Sequence, residues 1–180
     1  MEKEISTPYI ETDRMILRPW KAEDLPLFIE MNKDARVMRY FPSILTDEQT
    51  ESFYNRIQSE FERNGWGLYA VELKSNGTFI GYVGLHEIGF DANFTPGIEI
   101  GWRLDADYHN QGLATEAAKE MLKLAKKKGL QRLYSFTAKQ NAPSERVMQK
   151  IGMIKVGEFD HPNLSWDSPL ITHVLYQIDL

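Results

Sequence analysis

Asn110-Gln111-Gly112-Leu113-Ala114-Thr115-Glu116-Ala117-Ala118-Lys119-Glu120-Met121-Leu122-Lys123-Leu124-Ala125-Lys126-Lys127-Lys128-Gly129 is the stretch on which the reading of this chain turns. Ala117, Met121, Leu124 and Ala125 recur at helical spacing, with Lys119, Glu120, Lys123 and Lys126 on the opposite face, so the spacing predicts an amphipathic helix. Its beginning is unusual. A glycine and an alanine stand where a capping side chain would normally be. The first amides of a helix lack internal partners and carry partial positive charge. With no Cβ at Gly112 and almost none at Ala114, an anion as large as a diphosphate can approach those amides, while Leu113 turns inward. A merely permissive helix start is the alternative, and the surroundings decide between the two.

Upstream, Gly97–Leu104 reads as a strand with Ile98, Ile100, Trp102 and Leu104 on one face and Glu99 and Arg103 on the other. Downstream, Arg132–Thr137 reads as a strand, and Ala142–Ile151 as a short helix capped by Asn141. Further out, Arg14–Arg18 is a first strand ended by Pro19, and Ala22–Asn32 a helix. Thr46-Asp47-Glu48-Gln49 has the form of a capping box and opens a helix closed by Gly65. Trp66–Leu73 and Thr78–His86 flank Ser75-Asn76-Gly77, a hairpin signal because Asn-Gly tolerates positive φ. Met153–Phe159 and Thr172–Ile178 are the last strands. The order, βααβββαβαββ, implies an α/β (α+β) architecture with a mixed seven-stranded sheet and helices on both faces.

The chain has 180 residues, 42% hydrophobic and 26% charged, which suits one folded domain over residues 1–180. A net charge of −5 disfavours a nucleic-acid partner. Lys126, Lys127 and Lys128 suit the dipole of a helix C-terminus and form no nucleic-acid patch. There is no cysteine, hence no disulfide, thiolate metal site or cysteine nucleophile, and the four histidines lack metal-ligand spacing. Met1–Ser6 carries acid early and lacks an apolar leader segment, and no later run has the length of a membrane span. A cytoplasmic protein without a metal or a membrane partner is the expectation. Exposed sheet edges leave room for a homodimer.

In four places the chain resembles the GNAT superfamily of acyl-CoA-dependent N-acetyltransferases, and within it the RimJ/RimL-type group. Thr12-Asp13-Arg14-Met15-Ile16-Leu17-Arg18-Pro19-Trp20, with Glu23-Asp24-Leu25, looks like the opening strand and helix; Ile98–Leu104 like the fourth strand; Asn110–Ala117 like the pyrophosphate loop; and Asn141, Ser144, Val147 and Lys150–Met153 like the signature after the fifth strand. The tail, Glu158–Pro162 and His173–Tyr176, is similar to the ending of a RimL-like subgroup. One departure concerns His109, which occupies a position three residues before the loop glycine where the superfamily often has Arg or Gln. A Rossmann nucleotide-binding domain fits poorly, since its glycine turn follows the first strand.

The resemblance implies a GNAT-like acyl-CoA N-acyltransferase fold that takes acetyl-CoA (CoA) as co-substrate. It implies acetyl transfer to a primary amine, either a protein N-terminal α-amine or a small-molecule amine, by direct attack in a ternary complex. A CoA-binding sensor or interaction module without catalysis is the alternative. Cofactor contacts would come from Trp102, Arg103 and Leu104 beside pantetheine, from His109, Asn110, Gln111, Gly112, Leu113, Ala114 and Thr115 around the diphosphate, and from Asn141 and Ser144. Glu99 would be the general base, directly or through water; a salt bridge to Arg103 is its alternative. Ser144 would hydrogen-bond the departing sulfur or be a solvated first-turn serine. Asn141 would contact pantetheine, cap the helix, or both. A backbone amide near Gly101–Trp102 would hold the oxyanion. Trp20, Tyr40, Phe41 and Trp66 would wall the acceptor site, with core packing an equal alternative for such aromatics. His86 and Glu87 end a strand where an amine could meet a carboxylate, with a solvated strand end as the alternative.

Overall fold

The computed structural model describes residues 9–180; Met1–Ser6, read above for a leader, lie outside them. The elements in chain order are β1 (Ile10–Glu11), β2 (Met15–Arg18), α1 (Asp24–Lys33), α2 (Asp47–Asn64), β3 (Leu68–Leu73), β4 (Phe79–Glu87), β5 (Ile98–Leu104), a 3-10 turn at Ala106–Tyr108, α3 (Leu113–Lys127), β6 (Arg132–Ala138), α4 (Ala142–Lys150), β7 (Ile154–Asp160) and β8 (Thr172–Asp179). They build one eight-stranded sheet in the order β1-β2-β3-β4-β5-β6-β8-β7. The expected seven strands are therefore one too few. The extra strand has only two residues, Ile10 and Glu11, paired with Leu17 and Ile16, too short to show a period in the sequence.

Local chemistry sets the element ends. The Thr46 hydroxyl accepts from the Gln49 amide, the Gln49 side chain accepts from Thr46 N, and Gly65 closes α2 in the left-handed region, as the sequence reading expects. The β3–β4 hairpin forms at Asn76-Gly77, as that reading also expects. Gly77 alone takes positive φ, while the Asn76 side chain accepts from Thr78 N. Trp66 stands before β3 rather than in it.

Alternation along β4 and β5 creates the two sides of the sheet. Tyr82, Gly84 and His86 stand opposite Arg103, Gly101 and Glu99 in register. Phe28 of α1 and Phe53 of α2 meet Tyr82 edge-on, at 5.9 and 5.7 Å between ring centroids, and so cover this face. Val83, Leu85 and Ile100 alternate to the other face and are fully buried. α3 packs across β4 and β5 with Ala117, Ala118 and Met121 fully buried. Small residues on that stripe let the helix sit close to the sheet, which fixes where its N-terminus lies.

β2 is tied to α1 through Arg18. Its guanidinium donates to both oxygens of Asp24, at 2.7 and 2.9 Å, and to Glu72. All of Arg18 and Asp24 is buried, and removing one partner of such a pair costs about 3–5 kcal/mol.

Candidate active site

β5 and β6 are parallel and each has seven residues, yet they share a single register pair, Glu99 with Tyr134. Beyond it they diverge. The β5 edge from Gly101 to Leu104 is left without a strand partner, and a cleft of about 680 Å³ opens between the two strands. Gly101, Trp102, Arg103 and Leu104 form one wall, and Phe136, Thr137, Ala138, Asn141 and Ser144 the other. The cleft runs from the start of α3 to Glu99 and His86.

At the α3 end, Asn110 (φ 60°) and Gly112 (φ 76°) both adopt the left-handed conformation. No side chain among the described residues caps α3. Among the described residues, the amides from Asn110 to Thr115 have no hydrogen-bond acceptor. Successive amides in such a turn at a helix N-terminus form an anion-binding concavity. Gly112 is needed for its positive φ; a Cβ there would meet only Arg14 Nη2, at 3.5 Å.

His109 borders the same cleft, and its Nε2, bonded to the Leu104 carbonyl at 2.8 Å, ties the end of β5 to the loop. Arg14 supports the loop from behind: Nη1 donates to the Gln111 carbonyl at 2.8 Å, and Nε and the backbone amide donate to Glu116. Burial alone would raise the Glu116 carboxyl; the Thr12 hydroxyl and Arg14 outweigh it and hold the group below its ordinary value. Sequence reasoning missed this tie, because Arg14 and Glu116 are far apart in the chain.

At the other end, Glu99 faces His86 across the β4–β5 pair, and His86 Nε2 bonds Glu99 Oε1. Burial works against a charged His86, but the Glu99 carboxylate outweighs it and raises the imidazole above its ordinary value. The alternative Glu99–Arg103 salt bridge does not form: Arg103 reaches Asn32 Oδ1 instead, at 3.0 Å. Glu87 turns outward to Arg63 and Asn64, and Glu60 accepts from the Glu87 backbone amide, so Glu99 is the carboxylate bonded to the His86 ring.

Asn141 caps α4 through Oδ1, which accepts from Ser144 N, while Nδ2 donates to Thr137 Oγ1 at 2.9 Å. The Ser144 hydroxyl makes no hydrogen bond within the described residues and borders the cleft. Tyr40 and Phe41 also border it. Trp20 and Trp66 do not: both are buried in the core, and the Trp20 indole donates to the Leu68 carbonyl while its ring packs on Phe28 and Phe79. Phe136, His161, Leu164 and His173 border the cleft as well. His161 lies 5.0 Å from His173 between ring centroids, within a cluster that includes Phe90 and Phe159. Burial, helped by His173, pushes His161 down to about 4; burial also lowers His173.

Residues 14–154 match the family profile described as Acetyltransferase (GNAT) domain. The chain belongs to the GNAT acetyltransferase family. The N-acetyltransferase YnaD of Bacillus subtilis (strain 168), itself uncharacterized, is 30% identical over 153 residues, covering 84% of this chain and 85% of its own. The crystal structure of a GNAT-family acetyltransferase from Bacillus anthracis is 28% identical and superposes with a TM-score of 0.77, covering 96% of this chain and 98% of that one. The structure of YncA from Salmonella typhimurium, solved with its cofactor acetyl-CoA, shares the fold at 17% identity, with a TM-score of 0.71 and coverage of 92% and 94%. This GNAT chain is thus an acyl-CoA-dependent acetyltransferase. Among the described residues, no helix is long and apolar enough to cross a membrane.

Proposed function

We propose that the protein transfers an acetyl group from acetyl-CoA to a primary amine by direct attack in a ternary complex, with Glu99 as general base. The observation that carries the reading is the continuity of one cleft from the unpartnered amides at Asn110–Thr115 to the Glu99–His86 pair. The residues fit the co-substrate in kind. The free amides suit a diphosphate, and the open edge of β5 at Trp102, Arg103 and Leu104 suits the amide groups of pantetheine. When bound, acetyl-CoA supplies an activated acyl carbon and a thiolate leaving group.

The protein's own part is proton handling and orientation. An amine attacks only after losing its proton, and an α-amine (pKa about 8) needs less help than a lysine (about 10.4). Glu99, on the cleft wall, accepts that proton directly or through a water, and His86 shares the charge through Nε2. An amide near Gly101–Trp102 faces the developing oxyanion, where one such donor is worth about 10²–10³ in rate. Ser144, whose hydroxyl has no partner among the described residues, donates to the departing sulfur. Asn141 fixes the start of α4 and thereby Ser144.

Within the family, the motif resemblance favours the RimJ/RimL-type group, and with it an N-terminal α-amine as acceptor. Thiol release from acetyl-CoA across a panel of peptides and small amines tests the reading. Turnover with at least one acceptor, abolished by Glu99→Gln, is the expected result. CoA binding with no turnover on any acceptor would leave a CoA-binding module.

A further inference from the structure

Among the described residues, Arg103 is a cation without an anion. Its guanidinium borders the acceptor half of the cleft, 4.5 Å from the Phe41 ring centroid, 5.4 Å from that of Tyr82 and 5.8 Å from that of Phe53. Nη1 is held by Asn32 Oδ1, and Asn32, fully buried, is itself oriented by donating to Thr50. Nε is buried without a partner, and Nη2 makes no hydrogen bond among the described residues. The guanidinium is therefore fixed in place with much of its donor fork unused.

The neighbouring charges sharpen the contrast. Arg36, on the same rim, is neutralised by Asp34 and Asp107. Glu99, on the same strand face as Arg103, is bonded to His86. It lies four residues away, about 13 Å along the strand. Arg39, exposed over Tyr40, adds a second cation at the mouth. Aromatic faces offset part of the cost of holding a partly desolvated cation, but a carboxylate matches an arginine fork far better.

We propose that Arg103 binds a carboxylate of the acceptor, so that the enzyme acetylates amines that carry a carboxylate in preference to polyamines or simple alkylamines. This rests on the transferase reading above and narrows its substrate class. The carboxylate could be the α-carboxylate of a free amino acid or the side chain of an N-terminal Asp or Glu, and the same Arg103 chemistry serves both.

The test compares matched acceptors in wild-type enzyme: free amino acids against their α-amides, and peptides beginning with Asp or Glu against those beginning with Asn or Gln. In at least one pair, kcat/KM for the carboxylate member is expected to be higher by roughly 10- to 100-fold, the scale of a charge-assisted hydrogen bond. Which pair responds tells the two sources apart. Arg103→Gln should bring that ratio close to one, and Arg103→Lys should restore part of it. A second readout needs no chemistry: thermal stabilisation of the protein–CoA complex by each member of the pair. Turnover without a carboxylate preference overturns this proposal and leaves the transferase reading standing. Carboxylate-dependent stabilisation without turnover does the reverse. Neither turnover nor such stabilisation removes both.

Discussion

Glu99 and His86 form a carboxylate–imidazole pair across adjacent antiparallel strands, at the inner end of the cleft that begins at Gly112. Glu99→Gln keeps the shape and removes the basic oxygen. The expected result is a fall in kcat of about 10²- to 10⁴-fold, the usual range for general base catalysis. Titration calorimetry should show CoA affinity changed less than threefold, since the diphosphate cradle is at the far end. An unchanged kcat across the pH range would remove Glu99 as base.

The second prediction concerns Gly112. Its φ of 76° is one that a β-branched residue adopts only under strain, about 1–2 kcal/mol for an L residue. Gly112→Val should twist the cradle and weaken CoA binding at least tenfold, with a modest loss in melting temperature. Calorimetric titration with CoA checks it; wild-type affinity in a folded variant would show that the cradle does not bind the diphosphate.

Arg14 allows a finer test. By pairing with Glu116 it neutralises a carboxylate in the first turn of α3, beside the proposed anion site. Arg14→Gln should weaken CoA binding by about 2- to 5-fold, on the scale of a charge near a helix terminus. Adding Glu116→Gln should recover most of that loss, because the carboxylate left exposed to the diphosphate is then gone. A double-mutant cycle on CoA dissociation constants measures the coupling.

Asn141 separates structure from cofactor contact. Asn141→Ala removes the α4 cap and should cost about 1 kcal/mol, or roughly 2–4 °C in Tm for a chain of this size. Asn141→Asp keeps an accepting oxygen for the Ser144 amide, and the Thr137 hydroxyl can turn to donate to the second oxygen, so what is lost is the amide N–H donor. If capping is the whole role, the aspartate variant should match wild type in KM for acetyl-CoA; a raised KM at unchanged Tm would assign a cofactor contact to the amide nitrogen.

Stability should also respond to acid. His161 is pushed down to about 4 from 6.5, mainly by burial, so the folded state binds fewer protons than the unfolded chain between those values. That contribution is fully present above about pH 6.5 and is lost as pH falls toward 4. His173, also lowered, acts in the same sense. His86 is raised and acts oppositely: its contribution is complete below the ordinary histidine value and fades as pH rises through its higher folded one. In thermal scans from pH 7.5 to 4.5, His161→Gln should lose less Tm on acidification than the wild type; parallel curves would show that His161 does not carry this dependence.

Much of this was legible where the physics is local. The capping box at Thr46 and Gln49, the glycine start of α3 and the alternation that sets Glu99 apart from Ile100 all rest on residues close in sequence. What escaped depends on distant strands meeting. Glu99 and His86 could each be singled out, but their bond requires the β4–β5 register. Arg14 and Glu116 meet only because β2 and α3 pack on one sheet. Trp20 and Trp66 show the limit from the other side: an aromatic ring reads the same whether it lines a cleft or fills a core, and burial alone separates them from Tyr40 and Phe41.

Between Glu99 and Arg103 the cleft is bordered by bare main chain at Gly101, whose partner across the β4–β5 pair is Gly84. The two glycines differ in their freedom to change. A methyl at Gly84 would run into the Gly67 carbonyl at 2.1 Å, whereas one at Gly101 would find nothing nearer than Glu99 at 3.9 Å. A single exchange on one strand can therefore narrow the cleft while the adjacent strand stays locked, a route to a different cleft shape that leaves the fold intact.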